Sequence, residues 1–222
     1  MSLHSFFEDE KADGPFTILT VCTGNICRSP LAEMLLRKVL HGLPVVVHSA
    51  GTQALVGRPM TEQNCIIAEE LGVQQVDDHR ARLLKTDYLR EADLVLVLTR
   101  EHRAAVVEML PRASRRVFTL REFSRITEAA DVTELGPVAE AALGVDATGD
   151  AERVERLRAA VELVAQMRGS VPPPEELADD DVVDPYRQSD EVYARSARQI
   201  ITAVNPAGRF LRGRRRGHSC EG

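Results

Sequence analysis

The chain has no run of about 18 apolar residues of the kind that crosses a bilayer, so no membrane span is expected. It has no basic excess: 28 Lys and Arg against 34 Asp and Glu leave a net charge of −6, which argues against generic nucleic-acid binding. Its four cysteines, two of them in one short segment, do not make a disulfide framework, and a reducing, cytoplasmic setting fits them. No Cys/His spacing suggests zinc or another metal, and no cofactor is expected. Residues 1–15 are polar and lack the apolar stretch of a signal peptide, so they read as a flexible leader. There is no internal repeat. What remains is 222 residues, 44% hydrophobic and 28% charged, the make-up of one globular domain with a substantial core. The wealth of Ala and Arg hints at a bacterial source.

One segment organises the rest: Val21-Cys22-Thr23-Gly24-Asn25-Ile26-Cys27-Arg28-Ser29-Pro30. The apolar run Phe16 to Val21 enters it as a short buried strand. Leu31, Met34, Leu35 and Val39 follow at helical spacing, with Pro30 where a first helical residue belongs. A strand-to-helix turn of this kind aims backbone N–H groups and a helix N-terminus at one point, an anion site that suits phosphate. Cys22 places a thiol there, and positive surroundings favour its nucleophilic thiolate. Arg28 has the fork geometry to hold two phosphoryl oxygens, and Ser29 is placed to donate to the thiolate. Together they suggest phosphate ester hydrolysis through phosphocysteine. The competing reading is an ordinary turn with a buried cysteine.

At this point the sequence resembles the low-molecular-weight protein tyrosine phosphatase family of bacterial type, whose loop reads Cys-x-Gly-Asn-x-Cys-Arg-Ser-Pro. Cys22 to Pro30 match it without a break. The resemblance implies a phosphate-binding loop of Thr23, Gly24, Asn25, Ile26, Cys27 and Ser29, with Cys22 and Arg28 catalytic. It also implies that Ser49 and His79 lock Asn25, although His79 reads equally well as a surface histidine. Cys27 reads as packing beneath the loop, or as the partner in a reversible, protective disulfide with Cys22. His102 reads as structural or exposed.

The leaving oxygen of a phosphate monoester needs a proton donor. Asp184, in Asp184-Pro185-Tyr186, is the candidate that the family's Asp-Pro-aromatic motif implies, while Asp179, Asp180 and Asp181 read as a solvated acidic run. A nearby thiolate and a dianionic substrate favour the protonated acid, so activity should favour mildly acidic pH. Tyr186 and Leu55 are expected to wall the substrate cleft.

Alternating strands and helices predict an α/β fold, a four-stranded parallel sheet wrapped by helices as a flavodoxin-like three-layer sandwich. The expected strands are Phe16–Val21, Pro44–Gly51, Leu94–Leu98 and Val117–Leu120. The expected helices are Leu31–Leu40, Thr61–Leu71, a short one over Leu83–Arg90, Arg100–Leu110, Ala151–Met167, and Asp190–Val204 stopped by Asn205-Pro206. A phosphatase domain over 16–204 would hold a helical insertion at about 124–181, either a flap near the site or a decoration away from it. Residues 205–222 read as a basic tail with a possible weak contact to an anionic surface.

The expected partner is a phosphotyrosine protein, and the Ala54-Leu55-Val56-Gly57 stretch is similar to enzymes acting on bacterial tyrosine kinases of exopolysaccharide synthesis. Ile26 favours phosphotyrosine, whereas parts of the third and fourth strands resemble the branch acting on phosphoarginine. Arsenate reductases of the family need a cysteine pair that residues 99–124 lack. A catalytically silent phosphate-binding scaffold is the alternative from another class.

Overall fold

The computed structural model describes residues 14–132 and 149–213. Four strands form one parallel sheet: β1 (Phe16–Cys22), β2 (Val45–Gly51), β3 (Leu94–Val97) and β4 (Val117–Thr119), in the order β2-β1-β3-β4. The helices are α1 (Arg28–Val39), α2 (Glu62–Glu70), α3 (Thr86–Glu91), α4 (Arg100–Met109), α5 (Leu120–Val132), α6 (Asp150–Met167) and α7 (Asp190–Leu211). This is the expected α/β three-layer fold.

Strands buried on both faces read as continuous apolar runs, and all four residues of β3 are buried. Along β1, Phe16 and Ile18 join the core under α1, α5 and α7, while Leu19 and Val21 join Val95, Val97 and Val106 on the other face. The sheet reverses its winding at β1, whose two neighbours are β2 and β3. Crevices for ligands open at the carboxyl ends of strands at such a point. Cys22 is the last residue of β1 and pairs with Gly51, the last of β2.

Several boundaries differ from the sequence-based expectation. The short helix starts at Thr86, because Leu83 is taken into a bridge with Gly51. The break expected at Ser124 falls inside α5, whose Leu120, Phe123, Ile126 and Ala130 belong to the main core. The Ala151–Met167 helix forms as expected, with Val154, Leu157, Val161 and Val164 buried. Arg158 pairs with Asp93 at 3.2 Å, and Asp93 accepts the Thr17 N–H at the start of β1. That contact places α6 at the end of the sheet opposite Cys22, so this helix is not a flap over the site.

The last helix does not stop at Asn205-Pro206 but continues to Leu211. A proline inside a helix removes one backbone hydrogen bond and clashes with the preceding turn. Here the added turn buries Ala207, Phe210 and Leu211, and Gly208 sits so close to α1 that a Cβ would meet Val39 at 2.1 Å. Arg156 donates to Leu211 O at 2.6 Å, closing the end. Tertiary packing thus outweighs the local penalty, and residues 205–211 belong to the last helix rather than to a tail. The arginines at 214–216, Cys220 and residues 1–13 lie outside the described residues.

Candidate active site

The loop from Cys22 to Arg28 is held from outside by its carbonyls. Thr52 N donates to Cys22 O, Gln53 N to Thr23 O, Leu55 N to Gly24 O, Thr61 N to Ile26 O and Leu31 N to Cys27 O. His79 Nε2 lies 2.7 Å from Asn25 O and donates to it. In a trans peptide the N–H points opposite the preceding C=O, and no cis bond occurs among the described residues. Carbonyls turned outward therefore turn the amides of Gly24 to Arg28 inward, toward one point at the N-terminus of α1. That is a nest for an anion.

The turn is tight enough to need a special backbone. Asn25 is fully buried with φ of 54°, in the left-handed region that Asn tolerates better than most residues. Its side chain is fully engaged: Nδ2 donates to Ser29 Oγ at 3.0 Å and Ser49 Oγ at 2.8 Å, and Oδ1 accepts Arg82 N–H at 2.9 Å. A Cβ at Gly51 would lie 2.4 Å from Thr23 O, so only glycine lets β2 approach the loop. Ser49 and His79 both hydrogen-bond to Asn25. Arg82 is a third support that no sequence signal marked.

Cys22 Sγ and Ser29 Oγ are 3.0 Å apart. Ser29 Oγ accepts from Asn25 Nδ2, and its own proton can go to the sulfur or to Ala50 O, 3.5 Å away. Cys27 differs from Cys22 in surroundings. It packs with Ile26, Ala81 and Tyr193, and burial raises its thiol to about 11 despite contacts to Thr61 and Tyr193. It is a neutral packing residue there.

Arg28 is only 4% exposed, and its charge is met from the segment before α7: Nη1 donates to Val182 O at 3.2 Å and Nη2 to Asp184 Oδ2 at 2.6 Å. Its Nε is buried with no hydrogen-bond partner among the described residues. The Asp184 side chain is 52% exposed, and its other oxygen accepts Tyr186 N–H at 3.1 Å, which fixes the carboxylate.

The acidic run expected to be solvated is instead partly an anchor. Asp181 accepts Arg100 N–H at 2.7 Å and pairs with the Arg100 guanidinium at 2.9 Å; Asp180 pairs with Arg125 at 3.0 Å. Only Asp179 is exposed as expected. Val182 N donates to Leu98 O and Val183 N to Gln199 Oε1, so the acid segment is tied to β3 and α7. These ties bring Asp184 to Cys22 across 162 positions of sequence.

A cavity of about 140 Å³ lies between them, lined by Cys22, Thr23, Gly24, Ile26, Cys27 and Arg28 together with Gln53, Leu55, Asp184 and Tyr186. Leu55 and Tyr186, both in this lining, are 41% and 38% exposed. Three larger clefts among the described residues hold no cysteine. His102 is buried, not exposed, and contacts the loop through Thr23. No group of three or more His, Cys, Asp or Glu among the described residues is placed to hold a metal.

Residues 17–141 match the family model described as low molecular weight phosphotyrosine protein phosphatase. The chain belongs to this family. It is 40% identical over 110 residues to a protein-arginine-phosphatase of Geobacillus stearothermophilus, covering 49% of this chain and 72% of that one. It is 44% identical over 95 residues to the low molecular weight protein-tyrosine-phosphatase Etp of Escherichia coli, covering 43% of this chain and 62% of that one. The solved structure of the YwlE arginine phosphatase from Geobacillus stearothermophilus superposes with a TM-score of 0.57 at 28% identity, covering 87% of this chain and 91% of that one. The fold and the loop thus agree with the family, and members of both substrate branches are near.

Proposed function

We propose that the chain is a protein tyrosine phosphatase working by two in-line phosphoryl transfers through Cys22. One observation carries this reading: Cys22, Arg28 and Asp184 line a single small cavity. In the first transfer the Cys22 thiolate attacks phosphorus, the P–O bond to the tyrosyl oxygen breaks, and Asp184 gives that oxygen its proton. In the second, Asp184 takes a proton from water, the hydroxide oxygen bonds to phosphorus, and the S–P bond breaks to free phosphate and thiolate. The inward amides and Arg28 stabilise the charge on the equatorial oxygens in both. No metal or cofactor takes part in these steps.

The phenyl ring would lie between Leu55 and Tyr186 above Ile26, an apolar slot suited to an aromatic ring. The substrate class is a phosphotyrosine protein. A bacterial tyrosine kinase of exopolysaccharide synthesis is the partner we propose from the stretch at 54–57, with action in the cytoplasm. No helix among the described residues is long and apolar enough to cross a membrane.

The second reading is phosphoarginine, favoured by the identity to the arginine phosphatase of Geobacillus stearothermophilus. The slot offers one carboxylate, Asp184, to a guanidinium leaving group, and its Ile26 wall is apolar. Release of phosphate from matched phosphotyrosine and phosphoarginine peptides, with Cys22→Ser as blank, separates the readings. Faster turnover of phosphoarginine would overturn the assignment of substrate. Phosphate binding without turnover of either would favour a silent binding scaffold.

A further inference from the structure

His102 stands on the first turn of α4, 79 residues beyond Thr23, yet its Nε2 lies 2.9 Å from Thr23 Oγ1. Its Nδ1 lies 2.9 Å from Thr99 Oγ1, and Thr99 is the N-cap of the same helix, accepting His102 N–H at 3.3 Å. The imidazole is 6% exposed. Burial, then the Arg28 charge, push it down to about 4, against the opposing pull of Asp184 and Asp181. It is neutral at working pH, with one N–H and one lone pair.

Thr99 Oγ1 accepts the His102 N–H and is also hydrogen-bonded to Nδ1. Placing the Thr99 proton on the bond to Nδ1 puts the ring hydrogen on Nε2, which then donates to Thr23 Oγ1. With its oxygen already accepting, Thr23 has its own hydroxyl proton to give. Thr23 lines the cavity in front of Cys22. The acceptor that fits there is an oxygen of the bound phosphate ester.

The geometry points to a relay from Thr99 through His102 to Thr23 that fixes the Thr23 hydroxyl as a hydrogen-bond donor to a phosphoryl oxygen at Cys22. This rests on the reading of Cys22 as phosphoryl acceptor. No proton changes owner: the relay sets a direction, so His102 is a positioning residue and Thr23 touches the substrate. A donor held in place ahead of the reaction stabilises charge without reorganisation. The bond is expected to strengthen as charge moves onto the equatorial oxygens, so its loss should fall on kcat rather than on KM.

The test uses the full chain with p-nitrophenyl phosphate, Cys22→Ser serving as blank. Thr23→Val and His102→Leu are each expected to lower kcat about tenfold, a loss typical of one hydrogen bond, with KM changed less than threefold. The double variant should lose no more than either alone, since both cut the same chain. Thr23→Ser, which keeps the hydroxyl, and His102→Gln, which keeps an N–H, should recover activity to within about threefold of wild type, with the limbs of the pH profile unmoved. Additive losses, or Thr23→Val at wild-type activity, would overturn the relay. The tautomer gives a readout independent of turnover: nitrogen NMR of the His102 ring should show hydrogen on Nε2, and hydrogen on Nδ1 would reject the assignment. Wild type no faster than the blank, with Nε2 protonated, would instead reject the phosphatase reading and leave the relay's direction standing.

Discussion

Asp184 Oδ2 sits 2.6 Å from Arg28 Nη2, so the proposed proton donor and the proposed phosphate clamp share one hydrogen bond. A phosphoryl dianion entering the loop competes with Asp184 for that guanidinium. Binding and proton delivery are coupled through this exchange.

Asp184→Asn removes the proton donor and keeps a neutral side chain in place. Turnover of a phosphotyrosine peptide should fall about 10²- to 10⁴-fold, and that of p-nitrophenyl phosphate, whose leaving oxygen needs less help, should fall less. Equal losses on both substrates, measured as kcat, would show that Asp184 does not protonate the leaving group.

Gly51→Ala is expected to damage the loop while leaving the fold in place. Its Cβ would stand 2.4 Å from Thr23 O and 3.0 Å from the Asn25 side chain, so the loop must move. A shift of the order of 1 Å can cost about 100-fold in rate. Circular dichroism should stay native as kcat/KM drops, and an unchanged rate would show that the loop tolerates the shift.

Asn25→Ala leaves the left-handed backbone at this position without its three side-chain hydrogen bonds. Loss of such a buried network should destabilise the protein by about 2–4 kcal/mol and abolish most activity. Urea titration gives the first number, and a loss below about 1 kcal/mol would mean that Ser29, Ser49 and Arg82 hold the loop without it.

Acid should weaken the fold in a window set by buried His102 and partly buried His79. His102 falls from 6.5 to about 4, chiefly by burial, and His79 is lowered for the same reason. Between those values the unfolded chain binds more protons than the native one, so stability rises with pH across the window and is lost as pH falls from 6.5 toward 4. The His102 contribution is on the order of 3 kcal/mol. Melting of His102→Gln across pH 4–7 should show a flatter dependence than wild type; equal slopes would mean that His102 is not the titrating group.

Alkylation should distinguish the two loop cysteines. Burial raises the Cys27 thiol to about 11, whereas Cys22 opens onto the cavity with a serine hydroxyl at 3.0 Å. Iodoacetamide at pH 7 should modify Cys22 first, with phosphate slowing the reaction. Mass spectrometry showing Cys27 labelled at the same rate would contradict the burial.

Local chemistry was legible in the residues themselves. Cys22 to Pro30 pointed to an anion loop because strand, turn and helix start are encoded within a few neighbours, and Asp184-Pro185-Tyr186 pointed to the acid we propose. The apolar runs of β1 and β3 gave the sheet its interior strands by the same local logic. What the sequence could not decide was what lies across the fold from what. His102 meets Thr23, Arg82 meets Asn25, Asp181 meets Arg100, and each pair is joined only because parallel strands bring distant chain ends to one edge. The same holds at Pro206, where a local rule predicts an end and burial of Phe210 and Leu211 in the main core carries the helix on. Short-range rules see backbone propensity, whereas only the assembled core supplies the packing energy that overrides it.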